Sequence, residues 1–479
     1  MVQFLIGESA AALTHDELED RLECDGRALI CQLLQDHLDL RAAREQAVSP
    51  VLDEDGRCHN AIESGHRRHL ETIFGSVIAS RLAYRADKAS NLHLLDAALN
   101  LPAERYSHGL RRRAAIEAAR GSYEEARASL ERSSGVVIGK RQLEQLAARS
   151  AVDFEHYYAA RQAPRARKGE VVVISCDGKG VVMRPESLRP QTKAAGARQK
   201  NKLHGRLSKG EKANRKRMAE VGAVYSVVPK PRTPEQVMAP TAAGQVDEAP
   251  KAADKWVTAS VADDASTVIA NVFEEASRRD PDKVCDWVAL VDGNCHQIER
   301  ITAEASARGI VLCIVVDFVH VLEYLWKAAW SFYREGDPAA EEWVQDKALE
   351  ILGGKASIVA AAIRRKATML RLDPSTRRNA DLCSDYLLAK AAHLDYPTAL
   401  AKGWPIATGV IEGACRHVVK DRMDITGARW GLQGAEAVLK LRALRTNGDF
   451  EDYWSFHLAA EHGRVHASRY FAGVVPAAA

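Results

Sequence analysis

Two apolar segments of this chain run into the same dipeptide, an aspartate followed by a glycine. The segment VVVISC (171–176) leads into Asp177, and DWVALV (286–291) leads into Asp292. If both segments are parallel strands that end there, the two carboxylates lie side by side at the carboxyl edge of a sheet. Open α/β sheets build their sites at that edge. The pattern therefore predicts a pair of neighbouring carboxylates.

A third acid stands at the start of a basic helix. Glu412 lies early in GVIEGACRHVVKDRM (409–423). Its i+4 and i+8 neighbours, Arg416 and Lys420, would share its face of the helix. Carboxylates that approach one another repel unless a cation or a proton lies between them. Oxygen-only ligands select Mg²⁺ or Mn²⁺ over zinc. Two such ions about 3.5–4 Å apart activate a water or a 3′-hydroxyl and stabilise the leaving oxygen in phosphodiester chemistry.

Each acid also has an interpretation without chemistry. Asp-Gly after a strand is a common turn, and a glutamate early in a helix can act only as a partner of the helix dipole. Two matching strands combined with the helix glutamate favour the metal site over three unrelated structural roles.

The sequence around the acids predicts a sheet that would position them. Helical segments at 265–279 and 295–308 fit between strand-like runs, which is typical of an α/β domain with a mixed or parallel sheet. From 318 to 400 the strand signal stops and the sequence is helical. The predicted strands are 171–175, 223–228, 256–261, 286–291 and 311–316.

The first 160 residues are predicted to be mainly helical. Leucines between 18 and 34 recur at helical spacing, with an expected interruption near Gly26. The stretch 72–84 alternates apolar and polar residues, so we expect a hairpin or strand pair there.

A possible DNA-reading element lies near 121–150. A helix, a glycine-containing turn and a second helix that opens with Lys140 and Arg141 give the outline of a helix-turn-helix. An ordinary helical hairpin has the same outline.

Composition indicates a water-soluble protein with one strongly basic segment. The 479 residues, 46% hydrophobic and 27% charged, suffice for two or three domains. No apolar stretch reaches the roughly 18 residues of a membrane span, and the first residues lack the features of a signal peptide. Nine scattered cysteines indicate reduced intracellular thiols. Within 189–217 eleven basic residues face one acid, which suits a polyanion, a nuclear-import signal or a solvated loop.

Four segments together resemble one protein family. They read ISCDGKGVVMRPE (174–186), ALVDGNCHQI (289–298), DFVHVLEYLWKAA (317–329) and GVIEGACRHVVKDRMDITGARWGLQGAEAVLKLRAL (409–444). The segment SHGLRRRAAIEAARGSYEEA (107–126) is similar to the N-terminal region of the same group. The chain resembles a bacterial insertion-sequence transposase of the ISKra group, of the Asp-Asp-Glu type and related to the Mutator-like elements.

The resemblance implies an α/β fold with an RNase H-like mixed-sheet catalytic core. The implied catalytic acids and metal ligands are Asp177, Asp292 and Glu412, with two Mg²⁺ ions that Mn²⁺ can replace. A mainly helical N-terminal DNA-binding region precedes the core, and an all-helical insertion interrupts it. The implied parts are the N-terminal region (1–165), the core (166–317 and 402–445) with a basic insertion (184–217), the helical insertion (318–401) and a C-terminal tail (446–479).

Further residues receive roles around this core. Asp317-x-x-His320 matches a pattern of the relatives, and His320 could orient a catalytic acid or pack in the core. Trp430 could stack on a displaced base, although burial in the core suits a large aromatic residue better. The residues assigned to DNA are Arg416, Lys420, Arg422, Lys200, Lys202, Arg215, Lys216, Arg217, Lys140 and Arg141.

The expected function is that of a DNA transposase that cuts and joins strands at the ends of its own mobile element. Its partner would be double-stranded DNA, bound by a homodimer or higher oligomer in the bacterial cytoplasm, with no membrane involved. A structure-selective nuclease on the same fold and a non-catalytic, domesticated DNA-binding protein are the alternatives.

Overall fold

The computed structural model describes residues 2–200, 214–239, 249–425 and 427–477. The chain forms two compact units, residues 1–160 together with 448–479, and residues 161–447. The segment 446–479, which the sequence predicts to be a C-terminal tail, belongs from residue 448 onward to the same unit as the N-terminal region.

The first unit consists of helices and one hairpin. Strand β1 (Ala61–Thr72) pairs with β2 (Gly75–Arg85) in antiparallel register, from Ala61 opposite Arg85 to Thr72 opposite Gly75. The alternation at 72–84 therefore marks only the second strand, because β1 is largely exposed and carries many charges. The helices are Val2–Leu5, Glu8–Ala11, His15–Arg44, Leu94–Ala98, His108–Arg120, Tyr123–Ser134, Lys140–Arg149, Phe154–Ala160 and Phe450–Val465.

The interruption predicted near Gly26 is wrong, since His15–Arg44 is one helix of 30 residues. Its start is fixed by a capping box in which Thr14 and Glu17 exchange hydrogen bonds. A single glycine costs a helix only about 1 kcal/mol relative to alanine, so the rest of a helix of this length can outweigh it.

Three helices of the first unit share one small core. Helices His108–Arg120, Tyr123–Ser134 and Lys140–Arg149 surround Leu110, Leu130 and Leu143, all fully buried. Gly135, with φ +69°, ends the middle helix in the left-handed conformation that glycine adopts easily. Two helices and a turn thus lie where the helix-turn-helix was predicted.

Buried charges attach the last helix to the same unit. Arg111, 1% exposed, donates a hydrogen bond to Glu461 at 2.5 Å. Asp153 accepts from Arg464 at 2.6 Å and contacts Nδ1 of His457 at 2.7 Å. Removing one partner of such a buried network leaves an uncompensated charge, which is strongly destabilising.

The second unit is built on a five-stranded mixed sheet, as the sequence predicts. The strands are β3 (Val171–Val182), β4 (Lys216–Val227), β5 (Ala252–Ser260), β6 (Asp286–Val291) and β7 (Leu312–Val316). Their order in the sheet is β5-β4-β3-β6-β7. Strand β4 runs antiparallel to both of its neighbours, β3 and β5, whereas β6 and β7 run parallel to β3.

Several strand ends differ from the prediction. Strands β4 and β5 begin at Lys216 and Ala252, before the predicted positions 223 and 256. β3 does not end at Asp177 but continues to Val182, because β4 pairs with it along all twelve residues. Pairing with β6 does stop near the expected point, at Ser175 opposite Leu290. Asp177 therefore lies inside a strand, at the position where one of its two neighbours ends.

Helices cover the sheet and form the block that follows it. Ala265–Arg279 lies so close to β4 that a Cβ at Gly222 would be 2.3 Å from Val272. The segment 318–401 contains only helical elements and turns, as predicted. The helices of this unit are Pro190–Arg198, Pro234–Met238, Ala265–Arg279, Cys295–Ala307, Phe318–Ala329, Pro338–Leu352, Ala356–Met369, Pro374–Ala389, Tyr396–Ala401, Gly409–Ala414, Asp421–Met423 and Leu432–Asn447.

No helix in the described ranges is long and apolar enough to cross a membrane.

Candidate metal centre

Three aspartates occupy one row across the parallel strands. Ser175 lies opposite Leu290, and Val291 lies opposite Val316. Continuing both registers places Asp177, Asp292 and Asp317 next to one another at the ends of the β3–β6 and β6–β7 pairings. Neighbouring strands lie about 4.8 Å apart, so the backbones of the three aspartates lie close together at one end of the parallel strands. The sequence predicts the first two and assigns Asp317 only a supporting role.

Asp292 is held by the turn that follows β6. Its Oδ1 accepts a hydrogen bond from the backbone N–H of Asn294 at 2.8 Å, and its carbonyl accepts one from the Tyr386 hydroxyl at 3.1 Å. Gly293 has φ +93°, and a Cβ there would lie 2.9 Å from that hydroxyl oxygen. Burial raises the pKa of Tyr386, and the nearby acidic groups, Asp292 among them, add to the effect. The phenol therefore remains a donor at neutral pH.

Asp317 is fully buried at the start of helix Phe318–Ala329. Its Oδ1 accepts from the N–H of Val319 at 2.8 Å, and its Oδ2 accepts a short hydrogen bond from the Thr408 hydroxyl. Thr408 directly precedes helix Gly409–Ala414, the helix that carries Glu412. A backbone hydrogen bond joins the same two segments, since Phe318 N–H donates to the Ile406 carbonyl at 2.9 Å.

Glu412 thereby lies beside Asp317 and His320. One ligand atom from each of these three side chains lies within 4.8 Å of the other two. Among the described residues, this is the group of three potential metal ligands that lie this close together. Asp317 is buried, His320 half-buried and Glu412 exposed. The cluster could hold a metal ion. The triplet Asp177, Asp292 and Glu412 is not brought together at this spacing in the described chain.

Asp177 contacts the same helical segment one turn further on. Its Oδ1 accepts from the Gly178 N–H at 2.6 Å, and its Oδ2 lies 3.2 Å from Sγ of Cys415. Burial raises the pKa of Cys415, and Asp177 and Glu412 raise it further. The group is a neutral thiol that donates to the carboxylate. Thr408 and Cys415 therefore attach this helical segment to Asp317 and Asp177 respectively.

The helix changes its winding at this contact. Cys415–Lys420 forms a π-helical turn between Gly409–Ala414 and Asp421–Met423. Such turns occur often at functional sites. They also break the i+4 spacing, so Arg416 and Lys420 do not follow Glu412 along one α-helical face as predicted. Both side chains are exposed, that of Arg416 by 72%.

A cavity of about 330 Å³ adjoins the aspartate row. Asp177, Asp292 and Glu220 line it together with Arg300. Burial raises the pKa of Glu220, while Arg189 and Arg300 oppose that rise. Glu220 lies on β4 opposite Gly178.

The predicted DNA-binding residues differ in their burial and in their contacts. Arg422 is 2% exposed and its guanidinium lies 4.7 Å from the ring centre of Trp430, which is itself 5% exposed. Both residues pack inside the fold, so core packing is the observed role of Trp430. Arg217 donates to the carbonyls of Val261 and Ala262 at 2.6 and 2.9 Å and thus joins neighbouring segments of the chain.

The other assigned basic residues lie closer to solvent. Lys200, Lys216, Lys140 and Arg141 are exposed and Arg215 is half-buried. Lys140 forms an ion pair with Glu124. Lys202 lies outside the described residues.

The sequence analysis did not identify four residues that shape this site. Thr408, Cys415, Tyr386 and Glu220 have no motif, and each contacts a residue that is 42 to 238 positions away or shares a cavity with one. A signal exists only for Thr408, whose place directly before a helix is typical of a cap.

No protein-family model matches this chain, and no curated protein is similar to it. The function of the site therefore rests on its own geometry and chemistry.

Proposed function

We propose that this protein is a DNA transposase that cleaves and transfers strands at the ends of its mobile element, in a metal-dependent reaction on an RNase H-like core. One observation carries the proposal: Asp177 and Asp292 line one cavity just past the point where the β3–β6 pairing ends, although they are 115 positions apart in the chain. The strand order, with three antiparallel strands and two that are parallel to the first, supports an RNase H-like core.

The donor set suits the implied ions. Asp177, Asp292 and Glu412 offer only carboxylate oxygens, which are the ligands that Mg²⁺ and Mn²⁺ prefer. When bound, these ions activate the attacking hydroxyl and stabilise the leaving oxygen of a phosphodiester. We infer that the three carboxylates are the residues that would hold them.

The protein contributes positioning of those carboxylates. The N–H of Gly178 fixes one oxygen of Asp177, and the Cys415 thiol donates to the other. The N–H of Asn294 fixes one oxygen of Asp292. Pre-organised ligands lower the cost of reaching the productive geometry. Exposed Arg416 and Lys420 lie on the helical segment next to the acids, where they can neutralise DNA phosphates.

The remaining parts of the proposal concern partners. We propose that the N-terminal unit, with its exposed Lys140 and Arg141, recognises the ends of the element, and that at least two chains act together on DNA. Exposed Lys200 and Lys216 would follow the DNA backbone and make binding strongly dependent on salt.

The deciding experiment compares two Asp→Asn variants on DNA from both sides of the protein's own gene, with Mg²⁺ or Mn²⁺. Asp292→Asn changes the proposed site, whereas Asp346→Asn changes an exposed acid of helix Pro338–Leu352. We expect wild type and Asp346→Asn to cut and join at two matching inverted ends, and Asp292→Asn to do neither.

Other outcomes contradict the proposal in different ways. Scattered nicking that Asp292→Asn abolishes would indicate a nuclease. DNA binding without cutting, equal in all three proteins, would mean that the aspartates are structural and that the chain is a non-catalytic DNA-binding protein.

A further inference from the structure

The cluster Asp317, His320 and Glu412 differs chemically from the aspartate pair beside it. Its three ligand atoms come from the end of β7, the first turn of the next helix and a helix that starts 92 residues after Asp317. One of the donors is an imidazole nitrogen. Imidazole suits first-row transition metals, whereas Mg²⁺ and Ca²⁺ take oxygen ligands.

The imidazole has bonding capacity that the protein does not use. Nδ1 of His320 is buried and makes no hydrogen bond to any of the described residues. A buried polar atom without a partner costs roughly 1–3 kcal/mol, so its persistence calls for an explanation. A metal ion within reach of this ring would supply a bond or fix the tautomer that makes one.

Asp317 is prepared as a ligand. Both of its oxygens already accept a hydrogen bond, from Val319 N–H and from Thr408. Each carboxylate oxygen has two lone pairs, so each can still bind an ion. Hydrogen bonds of this kind orient metal ligands and typically change metal affinity 10–100-fold when lost.

Glu412 makes the cluster accessible. Its side chain is exposed while Asp317 is fully buried, so an ion can reach the cluster from solvent. Two carboxylates this close together also favour a cation between them over mutual repulsion.

We propose that Asp317, His320 and Glu412 bind one divalent transition-metal ion of the Mn²⁺, Fe²⁺, Co²⁺ or Zn²⁺ class. The bound ion fastens the helix that carries Glu412 to the end of β7, across the whole helical insertion. This site goes beyond the proposed DNA chemistry and does not depend on it. Glu412 belongs to both proposals, whereas Asp317 and His320 belong to this one.

The test measures Co²⁺ binding by the full-length protein after chelator treatment, without DNA. Calorimetry gives the stoichiometry and the affinity, and visible absorption reports the coordination geometry of the bound Co²⁺. Mg²⁺ is omitted, because Glu412 belongs to both proposed sites. Loss of the signal in a histidine variant assigns it to the nitrogen-containing site. The variants are His320→Gln and, as a matched control, His15→Gln, which changes an exposed histidine 3.8 Å from Glu19.

We expect one Co²⁺ per chain, unchanged affinity in His15→Gln, and an affinity at least about 10–100-fold lower in His320→Gln. The melting temperature should rise with Co²⁺ in wild type and not in His320→Gln. If His320→Gln proves unfolded by circular dichroism, Glu412→Gln replaces it, because an exposed side chain is dispensable for folding.

Equal Co²⁺ affinity and absorption in wild type and the cluster variants would overturn the proposal. Absence of Co²⁺ binding to wild type would do the same. Neither result depends on whether the protein cuts DNA, so this proposal and the transposase proposal can fail separately.

Discussion

Replacing Gly293 by alanine tests whether the turn after β6 is shaped by its contact with Tyr386. Two costs add at this position. A φ of +93° costs a residue with a side chain about 1–2 kcal/mol. A Cβ 2.9 Å from the Tyr386 hydroxyl adds an overpacking cost of about 1–3 kcal/mol, because something must shift. We therefore expect a loss of about 2–5 kcal/mol in the free energy of unfolding.

The chain offers a matched control for the first cost alone. Gly169 has the same φ of +93°, and no atom lies within 4 Å of the Cβ that an alanine would add there. Gly169→Ala should therefore cost only the backbone part, about 1–2 kcal/mol. The difference between the two variants isolates the contact with Tyr386.

Urea unfolding followed by tryptophan fluorescence is a suitable assay. Seven of the eight tryptophans lie in residues 161–447, so their signal reports mainly on the unit that contains both glycines. A second comparison uses a Tyr386→Phe background, in which the nearest ring atom to the new Cβ is 3.3 Å away. Gly293→Ala should cost less there. Equal losses for Gly169→Ala and Gly293→Ala, or the same Gly293→Ala loss in both backgrounds, would refute the reasoning.

Three further changes have defined outcomes. Gly222→Ala places a Cβ 2.3 Å from Val272 and should lower the stability of the sheet unit by about 1–3 kcal/mol in urea; adding Val272→Ala should recover part of it. Thr408→Val removes the donor to Asp317 and should cost about 1.5–3 kcal/mol, whereas Thr408→Ser should cost less; equal losses would contradict the role of the hydroxyl. Burial lowers the pKa of His108 from 6.5 to about 4, so between these two pH values the unfolded chain binds more protons than the folded chain. The contribution of neutral His108 to stability is therefore complete above pH 6.5 and decreases as the pH falls toward 4. The melting temperature should drop more between pH 7 and pH 5 in wild type than in His108→Gln, and parallel pH profiles would exclude this histidine as a cause.

The sequence predicts the sheet well where both ends of an element carry a signal. Strand β6 has the predicted bounds, 286–291, because a charged residue precedes the apolar run and a turn dipeptide follows it. The end of β3 was predicted wrongly because the strand continues past an Asp-Gly pair. What extends it is hydrogen bonding to β4, a long-range contact that the local residues do not encode.

The same distinction between local signals and long-range contacts separates the site residues that could be predicted from those that could not. Asp177 and Asp292 could be predicted because each directly follows an apolar run. The placement of Asp317 in the same row needs the register of β6 with β7, and the contact between Thr408 and Asp317 crosses 91 residues. Periodicity did not reveal the π turn at Cys415–Lys420 either, since its sequence reads equally well as an α-helix.

The division of the chain has a consequence for how the protein is made. Residues 161–447 are encoded between the two parts of the other unit. During translation, Arg111 and Asp153 leave the ribosome more than three hundred residues before Glu461 and Arg464, the partners of their buried charges. The unit of residues 161–447 can thus fold before the last helix of the other unit, Phe450–Val465, has been synthesised. A messenger RNA or a chain cut short after residue 447 would keep the aspartate row. Buried Asp153 would lose both of its basic partners, His457 and Arg464, and of its two acidic partners Arg111 would keep only Glu104. A truncated product and the full-length protein would therefore differ most in the unit that was synthesised first.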